Sequence, residues 1–229
     1  MFVSKFNALL ITSKAVVLLF LSLMISSHSY AASSKIGIIV FDGFLTSDVT
    51  APVEVFGAAS KKAWFSNYEV LLISATDQKS VKSEEGLTVT ADITISDAVE
   101  LDVLIVPSAY DMEPSLSNKK LISFIARQQK KASIISGNCS GAFLLGEAGV
   151  LDGKKATTWA GGEKDLAKSY PKIKVQYDQN VVVDSGVVTS NGGPVSYQSA
   201  FEILRQLSSA SYAKEISELI QFNRLQSAF

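Results

Sequence analysis

Apolar side chains occur in two patterns along residues 35–229: short unbroken runs, and longer stretches in which they recur at helical spacing. Residues 35–41 form the first run and stop at Asp42-Gly43, which predicts a buried strand followed by a turn. A helix is expected next, capped by Thr50, with Pro52 and Glu54 in its first turn and Val49, Val53 and Phe56 on its inner face. Tyr68–Ser74 predicts another strand. The looser alternation over 87–95 predicts one or two short strands, and Val103–Val106 a further buried one halted by Pro107.

Ser117 opens a predicted helix through residue 131, with Leu121, Ile122 and Ile125 turned inward. Residues 133–136 predict a strand that runs into Gly137-Asn138-Cys139-Ser140-Gly141, and a short helix over 142–148 ends at Gly149. A strand is expected over 155–159 and a helix over Glu163–Ser169. Val181–Asp184 should pair with Val187–Ser190 across Ser185-Gly186, and helices over 194–207 and 213–225 close the chain. Buried strands alternating with helices require a mainly parallel sheet covered on both faces, because parallel neighbours need crossover connections. The expected architecture is therefore α/β, a three-layer αβα sandwich in one domain over 32–229. Its functional groups should lie on loops at the carboxyl ends of the strands.

The first 31 residues differ from the rest. Lys5 and Lys14 are their only fixed charges, residues 15–25 are almost wholly apolar, and Ser29-Tyr30-Ala31 follows. This layout predicts a signal peptide cleaved after Ala31 and a mature protein that is periplasmic or secreted. An uncleaved anchor is the alternative reading, but the apolar run is short for crossing roughly 30 Å of hydrocarbon. No stable membrane association is expected after cleavage. Of 21 basic residues two precede the cleavage point, so the mature chain would carry a net charge of −3 against 22 acidic residues. Such a balance gives no electrostatic bias towards nucleic acid, and no helix-turn-helix pair is expected after the last helix. The sequence contains 1 cysteine, so Cys139 has no intramolecular disulfide partner. It is a buried small hydrophobe, a route to an intermolecular disulfide, or a nucleophile.

The strand-to-helix setting of Gly137-Asn138-Cys139-Ser140-Gly141 fits a nucleophile elbow, in which flanking glycines allow chain crossings that a side chain would block. Peptide N–H groups at the following helix start should favour the thiolate and depress its pKa, and the Ser140 N–H could help hold an oxyanion. A structural cysteine in a small-residue turn is the competing reading.

Further motifs are Gly37-Ile38-Ile39-Val40-Phe41-Asp42-Gly43, Asp48 followed by Ala51-Pro52-Val53-Glu54-Val55-Phe56, and Asp102-Val103-Leu104-Ile105-Val106-Pro107. Ala148-Gly149-Val150-Leu151-Asp152-Gly153, Ala156-Thr157-Thr158-Trp159 and Val188-Thr189-Ser190-Asn191-Gly192-Gly193 follow. Together with the elbow, these resemble the ThiJ/PfpI family of the flavodoxin-like, class I glutamine amidotransferase-like superfamily. The resemblance covers nearly the whole mature chain and is nearest to isonitrile hydratases and to the sensing halves of AraC-type regulators. It implies a homodimer, a small-molecule substrate or ligand, and no cofactor or metal. It also implies Cys139 as nucleophile with Asp48 and Ser140 as catalytic partners. Ser108, Ala109, Gly141 and Trp159 would form the oxyanion and pocket positions. Tyr110, Asp111 and Asn191 are pocket candidates or ordinary loop residues.

Two departures from that pattern matter. Relatives often read Thr-His-Trp where this chain has Thr158-Trp159, and the only histidine, His28, lies in the segment expected to be removed. Without a Cys-His pair, peptidase-like and amidotransferase-like chemistry is disfavoured, and a Cys-Asp arrangement as in isonitrile hydratases remains. Relatives also usually carry Gly-Gly where this chain has Ser108-Ala109. Three readings stay open: a cysteine-dependent hydratase or hydrolase, a detached non-catalytic binding module, and a redox or carbonyl-stress protein using the Cys139 thiol.

Overall fold

Ser34–Val40 forms strand β1, and Ile36, Ile38, Ile39 and Val40 are fully buried although alternate side chains point to opposite faces. That requires cover on both sides of the sheet, as expected from the sequence. The computed structural model describes residues 34–62 and 65–227; the cleavage point after Ala31 and His28 lie outside the described residues.

Helix α1 (Thr46–Ala59) follows, then β2 (Tyr68–Ser74), the small antiparallel pair β3 (Ser80–Lys82) and β4 (Thr88–Thr90), β5 (Ile93–Thr94) and β6 (Val103–Val106). Helices α2 (Glu113–Leu116) and α3 (Lys119–Gln128) lead to β7 (Ile134–Asn138) and α4 (Gly141–Glu147). The chain continues through β8 (Lys155–Ala156), α5 (Glu163–Ser169), β9 (Lys174–Val175), β10 (Val181–Asp184), β11 (Val187–Ser190), α6 (Ser196–Leu207) and α7 (Ala210–Leu219). The main sheet has 7 strands in the order β10-β11-β7-β6-β1-β2-β5, and only β10 runs antiparallel to its neighbour. Helices α1, α6 and α7 pack together as one layer, and α2, α3 and α4 as another. Among the described residues no helix is long and apolar enough to cross a membrane.

The first helix starts earlier than the sequence suggests. Thr50 is not its cap but an interior residue whose hydroxyl donates to the Thr46 carbonyl at 2.9 Å, and Val53 is 37% exposed rather than on the inner face. The cap is tertiary: the Glu85 carboxylate, on the turn joining β3 to β4, accepts from the Thr46 N–H at 3.0 Å and its hydroxyl at 2.5 Å. These bonds hold the Glu85 carboxyl below its ordinary range. Asp48 therefore lies inside the first turn, not before it, and Pro52 sits within the helix.

Other boundaries differ for local reasons. Asn118, not Ser117, opens α3, its side chain accepting the Leu121 N–H at 3.1 Å, and the short α2 precedes it. Residues 157–159 leave the strand after Ala156, and the last helix begins at Ala210 behind a Ser209 cap and gives way to a 3-10 turn over Phe222–Ser227. The hairpin is as the sequence predicts, with Ser185 and Gly186 both at positive φ (49° and 78°).

Candidate active site

The carboxyl ends of β6, β7 and β11, three neighbouring parallel strands, bring Pro107-Ser108-Ala109, Cys139 and Asn191-Gly192-Gly193 to one edge of the sheet. The first turn of α1, reached from the carboxyl end of β1, adds Asp48.

Cys139 adopts φ 51°, a left-handed conformation that costs a residue with a Cβ about 1–2 kcal/mol. Its surroundings hold it there. The Cys139 N–H donates to the Ser190 carbonyl at 2.8 Å, and its own carbonyl accepts from the Thr158 hydroxyl at 2.8 Å. A Cβ on Gly141 would strike the Val106 carbonyl oxygen, so the crossing of α4 under the end of β6 needs glycine. This is the elbow geometry expected from the sequence.

Asp48 is fully buried, and four donors surround its carboxylate. Oδ2 accepts from the Ser108 N–H at 3.1 Å and the Ser108 hydroxyl at 2.5 Å, while Oδ1 accepts from the Gly193 N–H at 2.9 Å and the Ser196 hydroxyl at 2.7 Å. Burial pushes the Asp48 carboxyl above its ordinary value of 3.8, and the four hydrogen bonds oppose that rise without cancelling it. Burial also pushes the Cys139 thiol up, the charge on Asp48 adds to the rise, and the Ser108 and Ser140 groups pull it back only partly. The expectation of a depressed thiol pKa is thus reversed. The Ser140 N–H, just before the seven-residue helix α4, lowers the thiol only in part against desolvation and the Asp48 charge.

Cys139 opens onto a pocket of about 570 Å³ whose walls include Leu45, Ala109, Met112, Leu116, Phe143 and Trp159, with no charged side chain among its lining. Trp159 stacks on Phe143 with centroids 5.3 Å apart, an aromatic pair in the pocket wall. Ala109, Ser140, Tyr110 and Trp159 line the pocket. Ser108 is fully buried behind it and grips Asp48, so its N–H is not free for an oxyanion, while the Ala109 N–H points to the Met112 sulfur at 3.1 Å. The Ser140 hydroxyl donates to the Ala109 carbonyl at 3.1 Å, and Gly141 lies packed beneath the strand end rather than in the wall. Asp111 receives the Glu113 N–H at 3.0 Å and Asn191 donates to the Thr158 carbonyl at 2.6 Å, the ordinary loop roles.

Residues that sequence reasoning missed as partners are Gly193 and Ser196 on Asp48, and Asn138. The Asn138 amide donates to the Asp48 backbone carbonyl at 3.3 Å and accepts from the Ser190 and Ser199 hydroxyls at 2.7 and 2.9 Å. Gly193 and Asn138 belong to motifs visible in the sequence, but nothing there pairs them with Asp48. Among the described residues no three His, Cys, Asp or Glu side chains converge as a metal site requires.

Residues 34–206 match the DJ-1/PfpI family model. The chain is 28% identical over 189 residues to the isonitrile hydratase of Pseudomonas putida, covering 82% of this chain and 78% of that protein. A ThiJ/PfpI family protein from Pseudomonas syringae shares the fold with a TM-score of 0.74 at 23% identity, over 83% of this chain and 75% of that one. An AraC family transcriptional regulator structure from Pseudomonas putida does so with a TM-score of 0.69 at 20% identity, over 82% and 99%. With three quarters of its length matched, the chain belongs to the DJ-1/PfpI family.

Proposed function

We propose that this protein is a cysteine-dependent hydratase acting on a small, neutral electrophile, with isonitrile hydration as the most concrete version. The observation that carries the reading is Cys139, held at φ 51° at the mouth of an uncharged apolar pocket with a buried acid behind it. An isonitrile suits such a site because R–NC carries no net charge, its R group can lie against Phe143 and Trp159, and its terminal carbon meets the sulfur.

The chemistry needs a proton carrier because the thiol begins protonated. Asp48 accepts the Cys139 proton as sulfur bonds to the isonitrile carbon, then returns it to that carbon, giving Cys139–S–CH=N–R. Water adds to the C=N carbon with its proton passing to nitrogen. Breaking the C–S bond then releases HC(O)NH–R, and the sulfur regains a proton. The sum is R–NC plus water giving an N-substituted formamide, with no redox change. Asp48 is suited to both directions because burial lifts its carboxyl towards the thiol it serves. Export, with cleavage after Ala31, is part of this reading and rests on the pattern of residues 1–31; an exported protein whose intact mass includes His28 would overturn it.

A panel of alkyl and aryl isonitriles, followed by loss of the N≡C infrared stretch and formation of formamide, tests the activity. Turnover abolished in C139S and reduced in D48N supports it; no turnover of any member by the wild-type protein rejects it. The second reading, a non-catalytic binding module, is favoured by the engagement of both the Ser108 and Ala109 N–H groups, which leaves Ser140 as the remaining backbone donor near the sulfur. Saturable binding of an intact isonitrile without turnover would select it.

A further inference from the structure

Of the chain's 3 methionines, Met1 and Met24 precede the described residues and Met112 alone lies among them. Met112 is half-buried in the wall of the pocket onto which Cys139 opens, and its sulfur accepts the Ala109 N–H at 3.1 Å. A thioether sulfur carries two lone pairs and is a weak acceptor, so this hydrogen bond fixes the sulfur, occupies one lone pair and leaves the other open.

We infer that Met112 is an oxidation site at which a peroxide converts the thioether to a sulfoxide and thereby closes the pocket to uncharged aromatic molecules. The open lone pair of Sδ attacks the nearer peroxide oxygen as the O–O bond breaks, and the transferred oxygen gives its proton to the departing one. R–S–CH3 plus HOOH thus gives R–S(O)–CH3 plus water, sulfur losing two electrons and the peroxide gaining them. Hydrogen peroxide is small and uncharged, and the pocket has no charged side chain in its lining. The thioether reacts without ionising, whereas the Cys139 thiol must first lose a proton, which burial opposes. The sulfoxide is a strong acceptor set in a wall shared with Leu45, Leu116, Phe143 and Trp159, so an apolar ligand entering there strips it of water with little in return. Because the Ala109 N–H covers one lone pair, oxygen adds to the other, and the folded protein forms one sulfoxide epimer.

The inference rests on the proposed function only in taking this pocket as the ligand site. Its test involves no turnover, so a protein inert to every isonitrile still decides it. The full-length protein is treated with hydrogen peroxide in mildly acidic buffer, where the thiol stays protonated, and the added oxygen is located by peptide mass. The ratio of Cys139 alkylation rates with N-phenylmaleimide and with iodoacetamide then reads the entry of an aromatic reagent independently of the thiolate fraction; any Cys139 lost to oxidation lowers the amplitude and not the rate. The ratio should fall about tenfold in the oxidised wild type and in untreated M112Q, which carries a polar carbonyl in place of the sulfoxide. M112L, close in volume and without a sulfur at 112, should keep its ratio through peroxide treatment. One of the two methionine sulfoxide reductases, each specific for one epimer, should restore the wild type alone. No oxygen at Met112 in the folded protein, when the urea-unfolded chain takes one up there, overturns the site. A ratio unchanged in both oxidised wild type and M112Q overturns the closure, and equal repair by the two reductases overturns the shielding by Ala109.

Discussion

The side-chain amide of Asn138 donates to the backbone carbonyl of Asp48 at 3.3 Å, the acceptor that Pro52 leaves without its usual helical partner. Proline has no N–H, so the carbonyl four residues earlier would otherwise be an unsatisfied group in a buried place. Asn138 is the last residue of β7, next to Cys139, so one amide joins the helix that carries the acid to the elbow that carries the thiol.

Replacing Asn138 by alanine orphans the Asp48 carbonyl and removes the acceptor that the Ser190 and Ser199 hydroxyls share. We expect N138A to lose about 2–4 kcal/mol of stability in urea denaturation, the range for leaving more than one buried polar group unpaired. N138D keeps the acceptor but removes the donor and should lie at or beyond N138A.

Gly192, at φ 75°, lies directly against Cys139: a Cβ there would collide with the Cβ of the cysteine and stand 3.0 Å from Asp48 Oδ1. G192A should cost about 1–3 kcal/mol through strain and overpacking. It should also displace Cys139, seen as a changed alkylation rate at fixed pH. A variant with wild-type stability and wild-type alkylation would show that this loop does not set the position of the sulfur.

The charge on Asp48 raises the Cys139 thiol, so D48N should shift the pH midpoint of Cys139 alkylation downward. Turnover in the same variant should fall, because an easier thiolate then lacks a proton carrier. A midpoint that rises or stays put would mean that the carboxylate does not act on the sulfur.

Asp48 also links pH to stability. Its folded pKa lies above the ordinary 3.8, so at pH values between the two the folded chain holds a proton that the unfolded chain has released. Its contribution is complete below the ordinary carboxylate pKa and is lost as pH rises through the folded value. The difference in urea stability between wild type and D48N should therefore shift against the wild type as pH rises across that window, and a flat difference would contradict the raised carboxyl.

Glu85 caps α1 from the β3–β4 turn through the Thr46 N–H and hydroxyl. E85A should cost about 1 kcal/mol in thermal or urea unfolding, the usual effect of losing an N-cap acceptor. E85Q keeps an acceptor oxygen and should retain part of the loss. Equal stability of all three proteins would show that α1 is fixed by packing alone.

Hydrophobic pattern by itself determined the alternation of strands and helices, the hairpin at Ser185-Gly186 and the elbow around Cys139, because each follows from local spacing or from glycines that a turn requires. The sequence also singled out Cys139 and Asp48, one through a strand-to-helix motif and the other through family resemblance. The start of α1 was not legible, because its cap is Glu85, 39 positions away along the chain. Nor was the role of Ser108: as a sequence it is a departure from Gly-Gly beside Pro107, and only the meeting of the α1 and β6 ends turns it towards Asp48. The direction of the thiol pKa was decided there as well. A helix start in isolation favours a thiolate, whereas burial beside a second acid, which only the packed sheet edge creates, favours the thiol.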